Sequence, residues 1–289
     1  MDPFAFLESV IVRDVGRGSE HLAESVSGDL KAAAVHLANS ADPVTIVTGF
    51  PVRTASGVHP ETDGPIGAVA LAQFLLASRA VTLLTDPFVS PLMHALRDHL
   101  SLDCQIIEHR SAEDVSEATL ALAGDLIFVE RPGPSASGLH MNMRGQSISE
   151  HIVPLEKARA LSAYTWSLGI GDGGNEVGMG RVPRDVLVAN VPLGETIGST
   201  SDTDRLIVAA VSNWGAWALI SGIATIRPEL AFAARVALDP SLATDILRAA
   251  SVAGAVDGVT GLVGESVDGI AWSTHLQVLA AIETALMFS

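Results

Sequence analysis

Short apolar runs alternate along most of the chain with longer segments whose apolar residues recur at helical spacing. Runs rich in β-branched and aliphatic residues indicate buried strands, and the helical spacing indicates amphipathic helices. The predicted strands are residues 44–48, 80–86, 104–108, 125–130, 164–174 and 205–212. The predicted helices cover 64–79, 88–100, 111–123 and 150–163, and a further helix starts at Trp214.

This alternation predicts an α/β fold, with a mostly parallel sheet covered by helices on both faces. The last third differs, because residues 228–289 have a mainly helical pattern and no strong strand. We therefore expect one α/β domain over residues 1–289, with 228–289 as a helical C-terminal extension. The short echo of AVDG (255–258) in SVDG (266–269) predicts a pair of turns.

Composition narrows the classes of function. The chain has 17 Lys+Arg against 33 Asp+Glu, a formal net charge of −16, which argues against binding to nucleic acid. No apolar run reaches the ~18 residues of a membrane span, and the N-terminal segment has no secretory pattern. We therefore expect a cytoplasmic protein that does not act at membranes. The single cysteine, Cys104, excludes an internal disulfide and two-thiol chemistry.

Polar segments follow nearly every predicted strand. In open parallel sheets, ligands bind outside the carboxyl ends of the strands, so these segments predict a site at that edge. They are TGFP and PETDGP (60–65) after the first strand, Asp86 after the second, ERPG (130–133) after the fourth, GIGDGGNEVGMG (169–180) after the fifth and SNWG (212–215) after the sixth.

The glycines of the stretch 169–180 allow the backbone to approach a ligand closely. The same stretch contains the polar side chains of Asp172, Asn175 and Glu176. If a helix starts there, free N–H groups around Gly173 and Gly174 would bind an anion. The stretch matches neither the Walker pattern nor the dinucleotide fingerprint. A tight turn without a ligand is the alternative, although such a turn does not need all three polar side chains.

Further candidates for substrate binding each have a structural alternative. Glu61 and Asp63 lie two residues apart in one loop, where Asp63 can instead cap the following helix. Arg144, in NMRG with Asn142, is either the bidentate partner of a carboxylate or an ordinary surface arginine. Four further candidates follow predicted strands: Asp86, Glu130, Ser212 and Asn213. For Asp86, Ser212 and Asn213, the alternative role is helix capping.

The order of these motifs resembles the D-glutamate cyclase C-terminal domain family. The similarity extends from about Asp14 to Gly269 and comprises TGF, ETDGP-x-GA, E-x-PG, NMRG, GIGDGGNE-x-GMG, SNWG and VDGVTG. The resemblance implies a hydro-lyase that converts D-glutamate, a small acidic amino acid, to 5-oxo-D-proline and water. In the best-known architecture of that family, a hydro-lyase-like domain precedes this one. Two kinds of protein partner are therefore considered for this chain: further copies of itself in a homo-oligomer, or a separate hydro-lyase-like protein.

Cyclisation of glutamate needs a neutral amine, stabilisation of a tetrahedral oxyanion and a proton for the departing water. We expect Arg144 to bind the α-carboxylate and backbone N–H groups around Gly173 and Gly174 to stabilise the oxyanion. Asp172 or Glu176, beside Asn175 in the same loop, would transfer the protons.

Charge raises a conflict, because glutamate is an anion and the predicted site is rich in carboxylates. Clustering can keep one or more of the acids protonated, or a hard divalent cation such as Mg²⁺ can bridge them to the substrate. The sequence slightly favours a site with no obligatory cofactor or metal. Two other classes remain open: a non-catalytic binding or regulatory module for a small carboxylate, and a metal-dependent enzyme acting on a phosphorylated small molecule.

Overall fold

A computed structural model describes residues 2–13, 18–111, 122–157 and 163–287. The strands are β1 (Val44–Thr48), β2 (Pro51–Thr54), β3 (Gly57–Pro60), β4 (Val81–Thr85), β5 (Gln105–Glu108), β6 (Ala123–Val129), β7 (Ala163–Gly171), β8 (Arg205–Val208), β9 (Ser266–Val267) and β10 (Ile270–Ala271). The α-helices are α1 (Pro3–Ile11), α2 (Ser19–Glu24), α3 (Asp29–Asn39), α4 (Pro65–Leu75), α5 (Ser90–Leu100), α6 (Arg184–Asn190), α7 (Gly194–Ile197), α8 (Ser212–Ile226), α9 (Ala231–Ala237), α10 (Pro240–Val252) and α11 (Trp272–Thr284).

Six strands form one parallel sheet in the order β5-β4-β1-β6-β7-β8. The chain enters the sheet at β1, adds β4 and β5 on one side, and then crosses to the other side with β6. The connections that leave β1 and β6 therefore run in opposite directions and open a crevice at the carboxyl edge, which is the usual ligand site of such sheets. The predicted α/β class with a parallel sheet is confirmed.

Alternating apolar residues divide the strands between two cores, because successive side chains point to opposite faces. On one face, Ile46, Ile127 and Ile170 belong to the core that includes α4 and α8. On the other face, Val47 and Phe128 pack with residues from the segment 153–155. Helices α2 and α6 cover that same face next to β8.

The C-terminal helices pack against the main layer. Helices α9 and α10 contact α4, helix α10 also contacts α5, and α11 contacts α8. The helical character expected for 228–289 is therefore present, although its treatment as an extension of a single domain stays a prediction. Among the described residues, no helix is long and apolar enough to cross a membrane.

The predicted helix over 150–163 is wrong for residues 150–157. Two single-turn 3₁₀ helices, Ser149–His151 and Leu155–Lys157, flank an extended stretch there. Pro154 disfavours helical geometry at the preceding residue, and the extended stretch places Val153 against the sheet. Residues 158–162 lie outside the described residues, as do residues 112–121 of the helix predicted over 111–123.

Element boundaries also differ near the carboxyl edge. Strand β8 ends at Val208, earlier than predicted, because α8 starts at Ser212. The hairpin β2–β3 was not predicted, and it extends the connection after β1 towards the crevice. The predicted turn at 266–269 is confirmed, since β9 and β10 pair antiparallel across Asp268 and Gly269, both with positive φ.

Two helix starts cap each other beside the crevice. The carboxylate of Asp63 accepts the N–H groups of Ser212 and Asn213 at 2.8 and 2.9 Å, at the start of α8. In return, Oδ1 of Asn213 accepts the N–H groups of Gly64 and Gly67 at 3.0 and 2.7 Å, at the start of α4. Asp63 therefore caps α8 rather than its own helix. This reciprocal cap is fully buried and ties β1 to β8 through their following helices.

We expect Asn213→Ala to lower the free energy of unfolding by about 2 kcal/mol, because two buried N–H groups lose their acceptor. The matched control is Asp239→Ala, which removes the exposed side-chain cap of α10 and should cost about 1 kcal/mol. Urea denaturation followed by circular dichroism measures both. A loss for Asn213→Ala no larger than that of the control would contradict the structural importance of the reciprocal cap.

Candidate active site at the carboxyl edge of the sheet

A cavity of about 190 Å³ opens at the carboxyl edge of the sheet. Its lining comes from the connection after β1, the residue after β6, the loop 142–144, the glycine-rich loop after β7 and the segment 258–268. Drug-sized ligands usually occupy about 300–1,000 Å³, so this cavity suits a smaller metabolite. Another depression, of about 250 Å³ between α1, α2 and β8, contains none of the predicted site residues.

The cavity brings together about half of the residues predicted from the sequence. Those in its lining are Glu61, Glu130, Asn142, Arg144, Asp172, Asn175 and Glu176. Those that do not line it are Asp63, Asp86, Gly173, Gly174, Ser212 and Asn213. Within the second group, Gly173 and Gly174 donate hydrogen bonds to Glu176, and Ser212 donates to Glu130. Asp63 and Asn213 cap helices, and Asp86 pairs with Arg131.

Glu130 follows β6 directly and has a left-handed backbone, with φ of +45°. Its side chain accepts the hydroxyl of Ser212, at the start of α8. A Cβ on Gly64 would lie only 2.5 Å from the Cβ of Glu130, so the start of α4 can approach Glu130 only as glycine. Burial, followed by the charges of Asp172 and Glu176, raises the pKa of Glu130 well above its ordinary value.

Glu176 folds back onto its own glycine-rich loop. Its Oε1 accepts the N–H of Gly173 and its Oε2 accepts the N–H of Gly174, each at 2.9 Å. The expectation that these N–H groups face a substrate oxyanion is therefore not met, because both donate to Glu176. The side chain of Glu176 shapes the loop and still contributes to the cavity wall.

Two backbone hydrogen bonds join the glycine-rich loop to the loop after β6. The N–H of Val177 donates to the carbonyl of Arg131 at 2.8 Å, and the N–H of Gly133 donates to that of Asn175 at 2.9 Å. The side chain of Asn175 extends this connection, since its Nδ2 donates to the carbonyl of Met141 at 2.7 Å. Its Oδ1 is buried and has no hydrogen-bond partner among the described residues.

Glu61 and Asp268 form a hydrogen-bonded pair of carboxyl groups in the cavity lining. Burial is the largest cause that raises the pKa of Glu61 well above its ordinary value, and the charges of Asp268, Asp63 and Asp172 add to it. Gly258 allows this packing, because a Cβ there would lie 1.6 Å from Oε1 of Glu61. The raised pKa favours the protonated form of Glu61.

Asp268 is a functional candidate that the sequence analysis missed. It belongs to SVDG, which was interpreted only as a turn, and it has φ of +56° there. Asp257 of the related AVDG holds the segment in place, because its carboxylate accepts the N–H groups of Val259, Thr260 and Gly269. A carboxylate at a constrained position of a turn was the available signal, but its partner Glu61 is 207 positions away in the sequence.

Positive charge in the cavity lining is limited to two arginines among the described residues. Arg144 is exposed at the rim, whereas Arg53 pairs with Glu150 and donates to the carbonyl of Ser147. Five carboxyl groups line the same cavity: Glu61, Glu130, Asp172, Glu176 and Asp268. The cavity is therefore strongly acidic, with its cationic groups at the edge.

Asp86 lies outside the cavity in a buried ion pair with Arg131, at 2.6 Å. Arg131 also donates to the carbonyls of Val153 and Gly49, and Asp86 accepts the N–H of Val89 in the turn before α5. These contacts join the loops after β1, β4 and β6 behind the cavity. Arg131 was not predicted, although it follows Glu130 in ERPG.

A parallel sheet with an acidic cavity at the crossover between β1 and β6 defines an α/β protein with a candidate small-molecule site. The glycine-rich loop follows β7 and not β1, so the cavity lacks the arrangement of a dinucleotide site. The family model described as D-glutamate cyclase-like, C-terminal, matches residues 7–283. The chain belongs to this family.

One similar curated protein is the human D-glutamate cyclase, mitochondrial. It is 29% identical over 313 residues, which cover 94% of this chain and 50% of the human protein. The chain thus spans about half the length of this relative. The name of the relative refers to mitochondria, and the cytoplasmic location expected for this chain stays a prediction.

The raised pKa of Glu61 predicts a pH-dependent stability. Because the folded state binds the proton more tightly than the unfolded state, the stabilisation from Glu61 is present at acidic pH and is lost as the pH rises through the folded-state pKa. We expect Glu61→Gln to melt at a higher temperature than the unmodified chain at pH 8, with the difference shrinking towards pH 4.

The measurement is a series of thermal melts between these pH values in buffer with a chelator, so that no cation compensates the charge. The matched control is Glu24→Gln, which removes one exposed carboxylate far from the cavity. Melting curves of Glu61→Gln that run parallel to those of the unmodified chain would show that Glu61 is not destabilised as a carboxylate.

Proposed function

We propose that this chain is a lyase that cyclises D-glutamate to 5-oxo-D-proline with loss of water. Family membership and the name of the human relative support a cyclase of this class. The observation that favours it most is the hydrogen-bonded pair of Glu61 and Asp268, which lines a small cavity with Arg144 at its rim. A small dicarboxylate with an amine fits the size of this cavity, with Arg144 as the partner of one carboxylate and the acidic groups next to the amine.

The reaction balances without an oxidant or a net proton. The nitrogen of glutamate forms a bond to the side-chain carboxyl carbon, and one carbon–oxygen bond of that carboxyl group breaks. The ammonium group gives up two protons in total, and both leave with the oxygen as water. The site therefore has to accept protons from nitrogen and return them to oxygen, which is general acid–base catalysis.

Glu61 and Asp268 can act as the general acid and the general base that these proton transfers require. Glu61, whose pKa is raised, donates a proton to the departing oxygen, while the neighbouring carboxylate of Asp268 accepts a proton from the ammonium group. Asp172 also lines the cavity, and its charge contributes to the raised pKa of Glu61. Glu176 is a weaker choice for proton transfer, because both of its oxygens accept loop N–H groups.

Arg144 is the proposed partner of the α-carboxylate of the substrate. Its guanidinium is exposed at the rim. The backbone N–H of Arg144 donates to Oδ1 of Asn142 at 3.0 Å. The same oxygen accepts the N–H of Gln146, so Asn142 shapes the turn that presents Arg144. A planar guanidinium is suited to bidentate recognition of a carboxylate.

The small cavity with an exposed arginine at its rim also suits one alternative. In that case the chain is a binding or regulatory module for a small carboxylate. The same cavity and Arg144 would bind the ligand, but no turnover would follow.

Proton NMR of the full chain with D-glutamate, and separately with L-glutamate, tests the proposed function. We expect 5-oxo-D-proline to form from D-glutamate at a rate well above the spontaneous rate. Reactions with and without added Mg²⁺ are measured in parallel. Asp268→Asn should lower kcat by about 100-fold or more, because it removes one member of the proton-transfer pair. Glu24→Gln serves as the control with unchanged turnover. Binding of D-glutamate by calorimetry without any product would support the binding module instead.

Substitution of Arg144 tests how the substrate is bound. Loss of a charged hydrogen bond costs about 1.5–3 kcal/mol, so Arg144→Met should raise KM for D-glutamate by about 10- to 100-fold with a smaller change in kcat. The matched control is Arg248→Met, an exposed arginine away from the cavity. An unchanged KM would show that Arg144 does not contact the substrate.

A further inference from the structure

We propose that His275, in helix α11, is a positioning residue for Asp268 of the candidate active site. The side chain of His275 is fully buried and does not line the cavity. Its Nε2 lies 3.1 Å from the carbonyl oxygen of Val267 and 3.3 Å from that of Ile270, the residues on either side of the turn formed by Asp268 and Gly269. The consequence for turnover rests on the proposed function, whereas the contact with the turn does not.

The hydrogen bonds determine which nitrogen of His275 carries the proton. The indole Nε1–H of Trp214 can only donate, and it lies 2.9 Å from Nδ1 of His275. Nδ1 is therefore the acceptor, and Nε2 carries the hydrogen that is donated to the two carbonyls. Burial is the largest cause that lowers the pKa of His275, and it outweighs the opposing charge of Asp268. The ring is therefore a neutral donor to the turn near pH 7.

Two tryptophans hold the ring of His275 in this orientation. Trp272 stacks on it, with 5.3 Å between the ring centroids and 24° between the ring planes. Trp214 lies at a steep angle to it, with corresponding values of 5.4 Å and 66°. Trp272 is itself anchored, because its Nε1 donates to the hydroxyl of Thr244 in α10 at 3.0 Å. The donor of His275 is therefore fixed in position by packing as well as by hydrogen bonds.

His275 joins two elements that shape the cavity. Trp214 directly follows Asn213, a member of the reciprocal cap, at the start of α8. On the other side of the ring, the turn presents Asp268 to Glu61. The left-handed backbone of Asp268 is costly for a residue other than glycine and persists only where its surroundings fix it. Without the donor from His275, we expect the turn to relax and the contact between the two carboxyl groups to loosen.

Two substitutions of His275 separate its hydrogen bonds. An asparagine amide reaches about as far as Nδ1 and a glutamine amide about as far as Nε2, so His275→Asn can accept from Trp214 and His275→Gln can donate to the turn. We expect His275→Asn to lower kcat for D-glutamate by about 10- to 100-fold with KM within about threefold, because the proton-transfer group is displaced while Arg144 is unaffected. His275→Gln should keep kcat within about threefold.

A double-mutant cycle with Asp268→Asn tests whether His275 acts through Asp268. In that background, His275→Asn should change kcat by less than about twofold, because the group that it positions is already lost. The matched control is Ser221→Ala, which removes another buried hydrogen bond between α8 and α11, to the carbonyl of Ile282 at 3.1 Å. It should lower the melting temperature and leave kcat unchanged.

Nuclear magnetic resonance of the full chain without substrate tests the contact separately from turnover. We expect a protonated Nε2 and an unprotonated Nδ1 on His275, and a shift of the Gly269 amide in His275→Asn but not in His275→Gln. If His275→Asn does not fold, Trp214→Phe replaces it, since it removes the donor that fixes the tautomer and should also shift the Gly269 amide.

Three results would overturn the proposal: a protonated Nδ1 on His275 in the unmodified chain, an unchanged Gly269 amide in the folded variant that lacks the contact, or an unchanged kcat in that variant. No product from the unmodified chain, together with the expected resonance shifts, would support the contact and count against the proposed function alone.

Discussion

The exchange of hydrogen bonds between Asp63 and Asn213 joins the starts of two helices that follow strands on opposite sides of the crossover. The N-terminus of each helix has N–H groups without intrahelical partners, and here each helix receives its acceptor from the other connection. Glu61 lies two residues before this cap, and Ser212, directly beside it, holds Glu130. The positions of two cavity carboxyl groups thus depend on one buried structural contact.

Behind the cavity, the buried carboxylate of Asp86 is compensated by the guanidinium of Arg131. Inside the cavity the balance is different, because carboxyl groups outnumber the arginines and burial raises the pKa values of Glu61 and Glu130. Glu130 and Asp268 also have left-handed backbones, which non-glycine residues rarely adopt. Concentrated charge and backbone strain are costly for stability, and they are typical of functional sites.

The family relationship and the geometry concern the same part of the molecule. All of the cavity lining lies between residues 50 and 268, within the region matched by the family model. Acid–base groups, a rim arginine and a cluster of oxygen donors occur together in one chain that spans half of its human relative. Under the proposed function, turnover depends on proton transfer at Glu61 and Asp268.

The sequence by itself determined the α/β class, most strand positions and the convergence of polar segments at one edge, because strand periodicity and turn residues are local signals. It also placed Glu61, Glu130, Asp172 and Arg144 in the candidate site, since parallel strands end at a common edge. Only the tertiary structure decided which side chains meet. Asp63 caps a helix 150 positions away, Glu61 pairs with the unpredicted Asp268, and Glu176 occupies the N–H groups expected to bind an oxyanion. Such partners depend on distances in space, which no local pattern of residues encodes.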